Sequence, residues 1–269
     1  MRSARLSRCF SLFKALWREG RVIVLKSPQE IEKMRSAGKI VAEILGILRS
    51  EVRAGVTTLF LDGLAESEVK KRKAVAAFKG YGGFPYALCC SLNEQVVHGM
   101  PSRRELVEGD IVSLDFGVVY SGYYADAAIT VPVSKVSEQA TKLVEVTERS
   151  LYAAIEAAVP GNRLSDISHA VQSYVERQGY SVVRDFVGHG IGKRLHESPQ
   201  VPNFGQPGRG VRLKPGMVLA IEPMINEKGH QVKVLDDGWT AVTCDGGLSA
   251  HFEHTVAITE HGPEILSKL

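Results

Sequence analysis

Five residues in this chain have the types and settings needed to gather metal ions. They are Asp115 in LDFG, Asp126 in YAD, His189 in GHGIG, Glu222 in IEPM and Glu253 in FEHT. Each lies in a short apolar segment, where an unpaired carboxylate is costly to bury. A cation among them removes that cost. Hard carboxylate oxygens with one imidazole suit Mn²⁺, Fe²⁺, Co²⁺ or Zn²⁺. Four carboxylates carry too much charge for one such ion and suit two. Two metals about 3.5–4 Å apart are a known hydrolytic arrangement. No cysteine ligand is indicated, which argues against a structural zinc site.

The elements that must position these residues are legible in outline. Residues 111–133 alternate apolar and polar around Ser121-Gly122, a hairpin signal. A two-residue loop there sets Asp115 opposite Ala128 and Asp126 opposite Gly117. Side chains on one face recur every second residue, so Asp126 and Asp115 share a face. Two carboxylates so close repel unless a cation lies between them. The alternative is a turn-capping aspartate plus an exposed one, which the apolar surroundings disfavour. Gly188 and Gly190 flank His189 and allow close backbone approach to a ligand.

Ser27, Pro28 and Glu30 form a helix-start signature. Ile31, Met34, Ile40, Ile44, Ile47 and Leu48 then repeat at helical spacing. Residues 58–79 read as a second helix with a basic, solvated face at Lys70, Lys71, Arg72 and Lys73. Residues 138–158 and 165–178 read as two more. The segments VVRDFVGHGIG, MVLAIEPMI, WTAVT and HFEHTVAIT read as strands. The order suggests two similar α-then-β halves, an α+β fold with antiparallel sheet.

Composition narrows the function classes. The chain has 269 residues and a net charge of +3. Residues 1–21 hold six basic residues and one acid, leaving 27 basic and 29 acidic in the body. A near-neutral body does not indicate a nucleic-acid surface. No apolar run is long enough to span a bilayer. The cysteines Cys9, Cys89, Cys90 and Cys244 form no CxxC pair, so a reducing compartment is expected. Residues 1–21 are Arg-rich, with Leu6, Phe10, Phe13 and Trp17 at helical spacing, like an organelle transit peptide. The preferred alternative is an upstream read-through, with Val22 as the true start. Cytoplasmic location is expected, organellar only if this leader is a genuine transit peptide.

NEQVVHG, LDFG, YADAAIT, GHGIG, HESPQV, LKPGMVLAIEPM and FEHT together resemble the type I methionine aminopeptidases in order and spacing. The resemblance covers residues 22–269, read as a single catalytic domain. It implies the pita-bread fold, two pseudo-symmetric α+β halves with a central antiparallel sheet around a dinuclear site. It implies removal of the initiator methionine from nascent proteins, with a small second residue preferred. Asp115, Asp126, His189, Glu222 and Glu253 correspond to the metal ligands, Asp126 and Glu253 bridging both ions. Glu222 also corresponds to the proton carrier for the attacking water. His196 corresponds to the donor to the carbonyl oxygen, and His98 to the group that positions the scissile amide. Tyr81, Phe84, Cys89 and Trp239 correspond to the walls of the methionine pocket. The resemblance further implies two divalent ions (Co, Mn, Fe or Zn), a monomer, nascent chain N-termini as partners and transient ribosome contact.

Two positions depart from the pattern. Leu195 stands where an aromatic residue is expected, which points to a looser substrate entrance. His251 stands where glutamine is expected, two residues before Glu253, and is expected to tune the metals or the groups around them. Two other readings compete. A proline-directed relative usually carries an additional N-terminal domain. A non-catalytic binding module would have lost ligands, whereas the five ligand positions and both histidines are all present here.

Overall fold

The computed structural model describes residues 22–268; the expectations for residues 1–21 lie outside them. Helix α1 spans Pro28–Glu51 and starts as its sequence dictates. The Ser27 side chain accepts from the Glu30 amide, and Glu30 accepts from the Ser27 amide, closing a capping box. Met34, Val41, Ile44, Leu45 and Leu48 form its buried stripe. Helix α2 spans Thr58–Lys71, shorter than the 58–79 expected. Arg72 caps it and Lys73 turns left-handed at φ 54°, which stops the helix. The residues beyond form strand β1, Val75–Ala76.

Strands β2 (Leu88–Leu92) and β3 (Gln95–Val97) precede the long hairpin β4 (Ile111–Tyr120) and β5 (Tyr123–Pro132). Helices α3 (Glu138–Ala157) and α4 (Leu164–Arg177) follow, within a residue of expectation. The second half continues as β6 (Ser181–Val182), β7 (Gly188–Gly190), β8 (Glu197–Val201), β9 (Val218–Ile221) and β10 (Met224–Asn226). It closes with β11 (Val232–Val234), β12 (Ala241–Thr243), β13 (Ser249–His251), β14 (Glu253–Thr259) and β15 (Gly262–Ile265). The run VVRDFVGHGIG, read as one strand, is two short ones with a loop between them.

One antiparallel sheet joins both halves in the order β1-β4-β5-β14-β9-β7-β8, with β2 also on β4 and β15 also on β14. Its centre is the pairing of β5 with β14, so the halves meet at the middle of the sheet. Helices cover one face. In the first half Leu114, Phe116, Ala125 and Ala127 pack with Val41, Ile44 and Leu48 of α1. In the second, Leu219, Ile221, Val256 and Ile258 pack with residues of α3 and α4, including Leu143, Leu151 and Val171. The alternate residues of the same strands face the other way. That uncovered face carries the chemistry. No helix among the described residues is long and apolar enough to cross a membrane.

Candidate metal centre and active site

The hairpin register is the one the turn dictates: Asp115 pairs with Ala128, and Gly117 with Asp126. Strand β14 then adds Glu253 opposite Ala128. Cys89 of β2 lies opposite Asp115 on the other side. Cys89, Asp115, Ala128 and Glu253 thus form one row across four strands, with Asp126 one step along the same face. The alanine in the row leaves space between two carboxylates. His189 pairs with Ala220, which pairs with Thr255, so His189 sits in a neighbouring row. Glu222 follows the last residue of β9 on the same face.

The structure therefore brings the five sequence-predicted residues together. His189 Nε2 lies 3.7 Å from an Asp126 oxygen and 3.5 Å from Glu222 Oε1. One donor atom each from Asp126, His189 and Glu253 fall within 4.8 Å of one another. His189 Nδ1 lies 3.0 Å from the Gly190 carbonyl. In the neutral ring that contact puts the proton on Nδ1 and leaves the Nε2 lone pair facing the carboxylates. Gly188 and Gly190 serve strand packing as well. A Cβ on Gly188 would overlap the Ala220 carbonyl, and one on Gly190 the Ser198 carbonyl. They let neighbouring strand backbones close on β7.

Electrostatics make the cluster unstable by itself. Burial, then the charge of Asp126, pushes the Asp115 carboxyl well above its usual range. Burial and the neighbouring carboxylates do the same to Glu222 and Glu253. Asp126 is raised by burial, although His189 and hydrogen bonds from Thr255 and Glu253 oppose the shift. Asp115 Oδ1 is buried and makes no hydrogen bond. An orphaned carboxyl oxygen among hard oxygen donors and one imidazole fits a divalent cation, which would hold the carboxyl ionised. The residues present fit the metal centre that the sequence implies.

The centre opens into a cavity of about 320 Å³. His98, His196, Tyr81, Phe84, Cys89, Leu195 and Trp239 all line it. Phe84 and Trp239 meet edge to face, with ring centroids 5.2 Å apart. The Tyr81 hydroxyl lies 2.7 Å from His196 Nδ1, and the His196 ring is 4.3 Å from that of His189. Burial, followed by the nearby histidines, holds His196 well below its usual pKa and hence neutral. His98 is lowered to about 4 by burial. Its backbone is left-handed at φ 59°, a conformation side chains rarely adopt and one that clusters at working sites. Leu195 is buried with Phe78 and Tyr81 in the cavity wall.

Several contributors were not read from the sequence. Phe186 lines the cavity and meets His98 at right angles, 5.5 Å between centroids. Thr255 accepts from the Asp126 amide at 3.0 Å, and its hydroxyl lies 2.8 Å from the Asp126 carbonyl. Asn203 donates to the Glu222 carbonyl at 2.9 Å. Thr255 had a usable signal, because it lies two residues after Glu253 on a strand and so shares its face. Phe186 and Asn203 come from loops, which have no such period.

Comparison with known proteins shows the family. The model of metallopeptidase family M24 matches residues 32–260. The methionine aminopeptidase of Clostridium perfringens is 56% identical over 246 residues, covering 91% of this chain and 99% of that protein. Methionine aminopeptidase 1 of Bacillus subtilis is 52% identical, covering 92% and 100%. The crystal structure of the Thermotoga maritima methionine aminopeptidase superposes with a TM-score of 0.91 at 52% identity, covering 92% of this chain and all of that one. The prolidase of Pyrococcus horikoshii superposes at 0.74 with 23% identity, and this chain spans 63% of its length. That likeness is one of fold alone. With its matching family model, its relatives above half identity and its buried carboxylate–histidine centre, the chain belongs to metallopeptidase family M24, among the methionine aminopeptidases.

Proposed function

We propose that this protein removes the N-terminal methionine from nascent polypeptides and peptides, preferring a small second residue, with two divalent metal ions as cofactors. The observation that carries the reading is a cluster of four carboxylates and one histidine, with Asp126, His189 and Glu253 buried and Asp115 and Glu222 partly buried, opening into a largely apolar cavity. Asp115, Asp126, His189, Glu222 and Glu253 would hold the ions. When bound, the ions supply Lewis-acid chemistry: they lower the pKa of water, polarise the scissile carbonyl and take the free α-amino group.

The protein's own groups do the rest. Glu222 accepts the proton of the attacking water and delivers it to the leaving amine. His196 donates from Nε2–H to the carbonyl oxygen as negative charge develops there. The Tyr81 hydroxyl, donating to Nδ1, holds that tautomer. His98, kept neutral by burial that lowers its pKa to about 4, orients the scissile amide. Tyr81, Phe84, Cys89 and Trp239 surround the flexible thioether side chain, whose sulfur packs well against aromatic rings. Residues 22–269 act as one catalytic domain, in a monomer working in the cytoplasm on chains emerging at the ribosome.

A peptide panel tests this. Metal-loaded protein is expected to release methionine from Met-Ala-Ser and not from Met-Leu-Ser or Ala-Pro-Ser. Cleavage of Ala-Pro-Ser would move the activity to the proline-directed class. No turnover with any divalent ion would leave a binding function only.

A further inference from the structure

Besides Asp115 Oδ1, one buried side-chain polar atom among the described residues makes no hydrogen bond: His251 Nε2. The His251 side chain is 2% exposed, and Nε2 lies 3.9 Å from Glu222 Oε2. A buried polar atom without a partner is costly, so its retention asks for a cause. The backbone around it is rigidly mounted. His251 pairs with Met224, two residues after Glu222, in the ladder of β10 and β13. The His251 amide donates to Thr130 Oγ1 at 2.9 Å, and the Thr130 hydroxyl donates to the His251 carbonyl at 2.8 Å. Ser113 Oγ lies 2.8 Å from Thr130 Oγ1 and completes the chain. The imidazole is thus carried on a fixed backbone with its free edge toward one oxygen of Glu222. The other oxygen, Oε1, is the one that faces His189.

We propose that His251 is a positioning residue for Glu222: its Nε2–H holds Oε2, so that Oε1 is turned toward His189 and the metal ions. The proposal rests on the reading that Glu222 is both ligand and proton carrier. A carboxylate with two such duties needs a fixed orientation, because a rotated one neither binds nor transfers in line. A shift of about 1 Å brings the pair from 3.9 Å to hydrogen-bond distance. A direct ligand role for His251 is the competing possibility, and the test separates the two.

Two variants are compared with the wild type: His251→Leu, which removes the donor, and His251→Gln, which keeps an N–H donor. Each is first checked for its melting temperature. Mn²⁺ affinity is then read by calorimetry, and nitrogen coupling to bound Mn²⁺ by pulsed electron paramagnetic resonance. His251→Leu is expected to lose about 10–100-fold in Mn²⁺ affinity, the usual effect of removing a partner of a metal ligand. His251→Gln is expected to recover to within about 3-fold of wild type, with kcat following affinity and KM little changed. The nitrogen coupling is expected to be the same in all three, from His189 alone. Loss of an imidazole coupling in His251→Gln would overturn the proposal by making His251 a ligand. Unchanged affinity in a folded His251→Leu would overturn it outright. If wild type binds Mn²⁺ yet releases no methionine, the functional reading fails separately, and the affinity comparison still decides the role of His251.

Discussion

Replacing Lys26 with methionine is a sharp test of how the site is held. Lys26 Nζ lies 2.7 Å from Glu197 Oε2, with side chains 4% and 7% exposed. Nζ also donates to the Val24 carbonyl at 3.1 Å. Glu197 directly follows His196, and the Arg194 amide donates to its other oxygen at 3.1 Å. The pair therefore ties the segment before α1 to the loop that carries His196. Lys26→Met leaves the Glu197 charge buried with one backbone donor. Removing one partner of a buried pair costs roughly 3–5 kcal/mol, far above the 0–1 typical of a surface pair. Urea denaturation of the variant is expected to show a loss in that range at unchanged m-value. The double variant Lys26→Met with Glu197→Gln is expected to recover at least about 2 kcal/mol, because no uncompensated charge remains. In the metal-loaded variant kcat is expected to fall about 10-fold through His196, with metal affinity preserved. A cost below about 1 kcal/mol, or a double variant no better than the single, would refute the reasoning.

Three further predictions follow from the site. In metal-stripped protein, Asp115, Glu222 and Glu253 bind protons more tightly folded than unfolded. Raised carboxyl pKa values make stability fall as pH rises from the ordinary carboxylate range through the raised one. The lowered histidines His98, His196 and His251 act with the opposite sign in stripped and loaded protein alike, so the stripped protein is expected to lose melting temperature relative to the metal-loaded protein from pH 5 to pH 8; the same pH dependence in both forms would contradict the electrostatics. Tyr81→Phe removes the hydroxyl from His196 Nδ1 and is expected to lower kcat about 10-fold with little change in KM, measured on Met-Ala-Ser. Gly190→Ala forces a methyl into the Ser198 carbonyl and is expected to cost more than about 2 kcal/mol in thermal melts, and to weaken metal binding through His189.

How much was legible follows from which contacts are local. The positions of Asp115 and Asp126 could be read because a two-residue turn fixes the register of every pair in its hairpin. The capping box at Ser27 could be read for the same local reason. The row from Cys89 to Glu253 could not be read from spacing, because the pairing of β5 with β14 joins residues far apart with no turn between them. The sequence reading carries the helix on through residues 72–79. The structure instead pairs Val75 with Val119 and Ala76 with Val118, a tertiary contact that overrides propensity. His189, Glu222 and Glu253 stand out as polar residues in apolar segments, whereas His98, His196 and the pocket walls rest on motif resemblance, and the geometry supplies what neither states. It shows the Tyr81–His196 contact, the Thr255 support of Asp126 and the unpartnered edge of His251.

One titration tests whether the carboxylate–histidine cluster binds metal and whether that metal drives methionine release. Chelator-stripped protein should be titrated calorimetrically with Mn²⁺, Co²⁺, Fe²⁺ and Zn²⁺ singly, with release from Met-Ala-Ser followed at each step and Asp126→Ala as control. Two ions per chain are expected, with no release before metal is added, activity rising with occupancy, and neither tight binding nor release in Asp126→Ala. Full activity in stripped protein, or an Asp126→Ala variant that binds and cleaves like wild type, would contradict metal-driven release by this cluster.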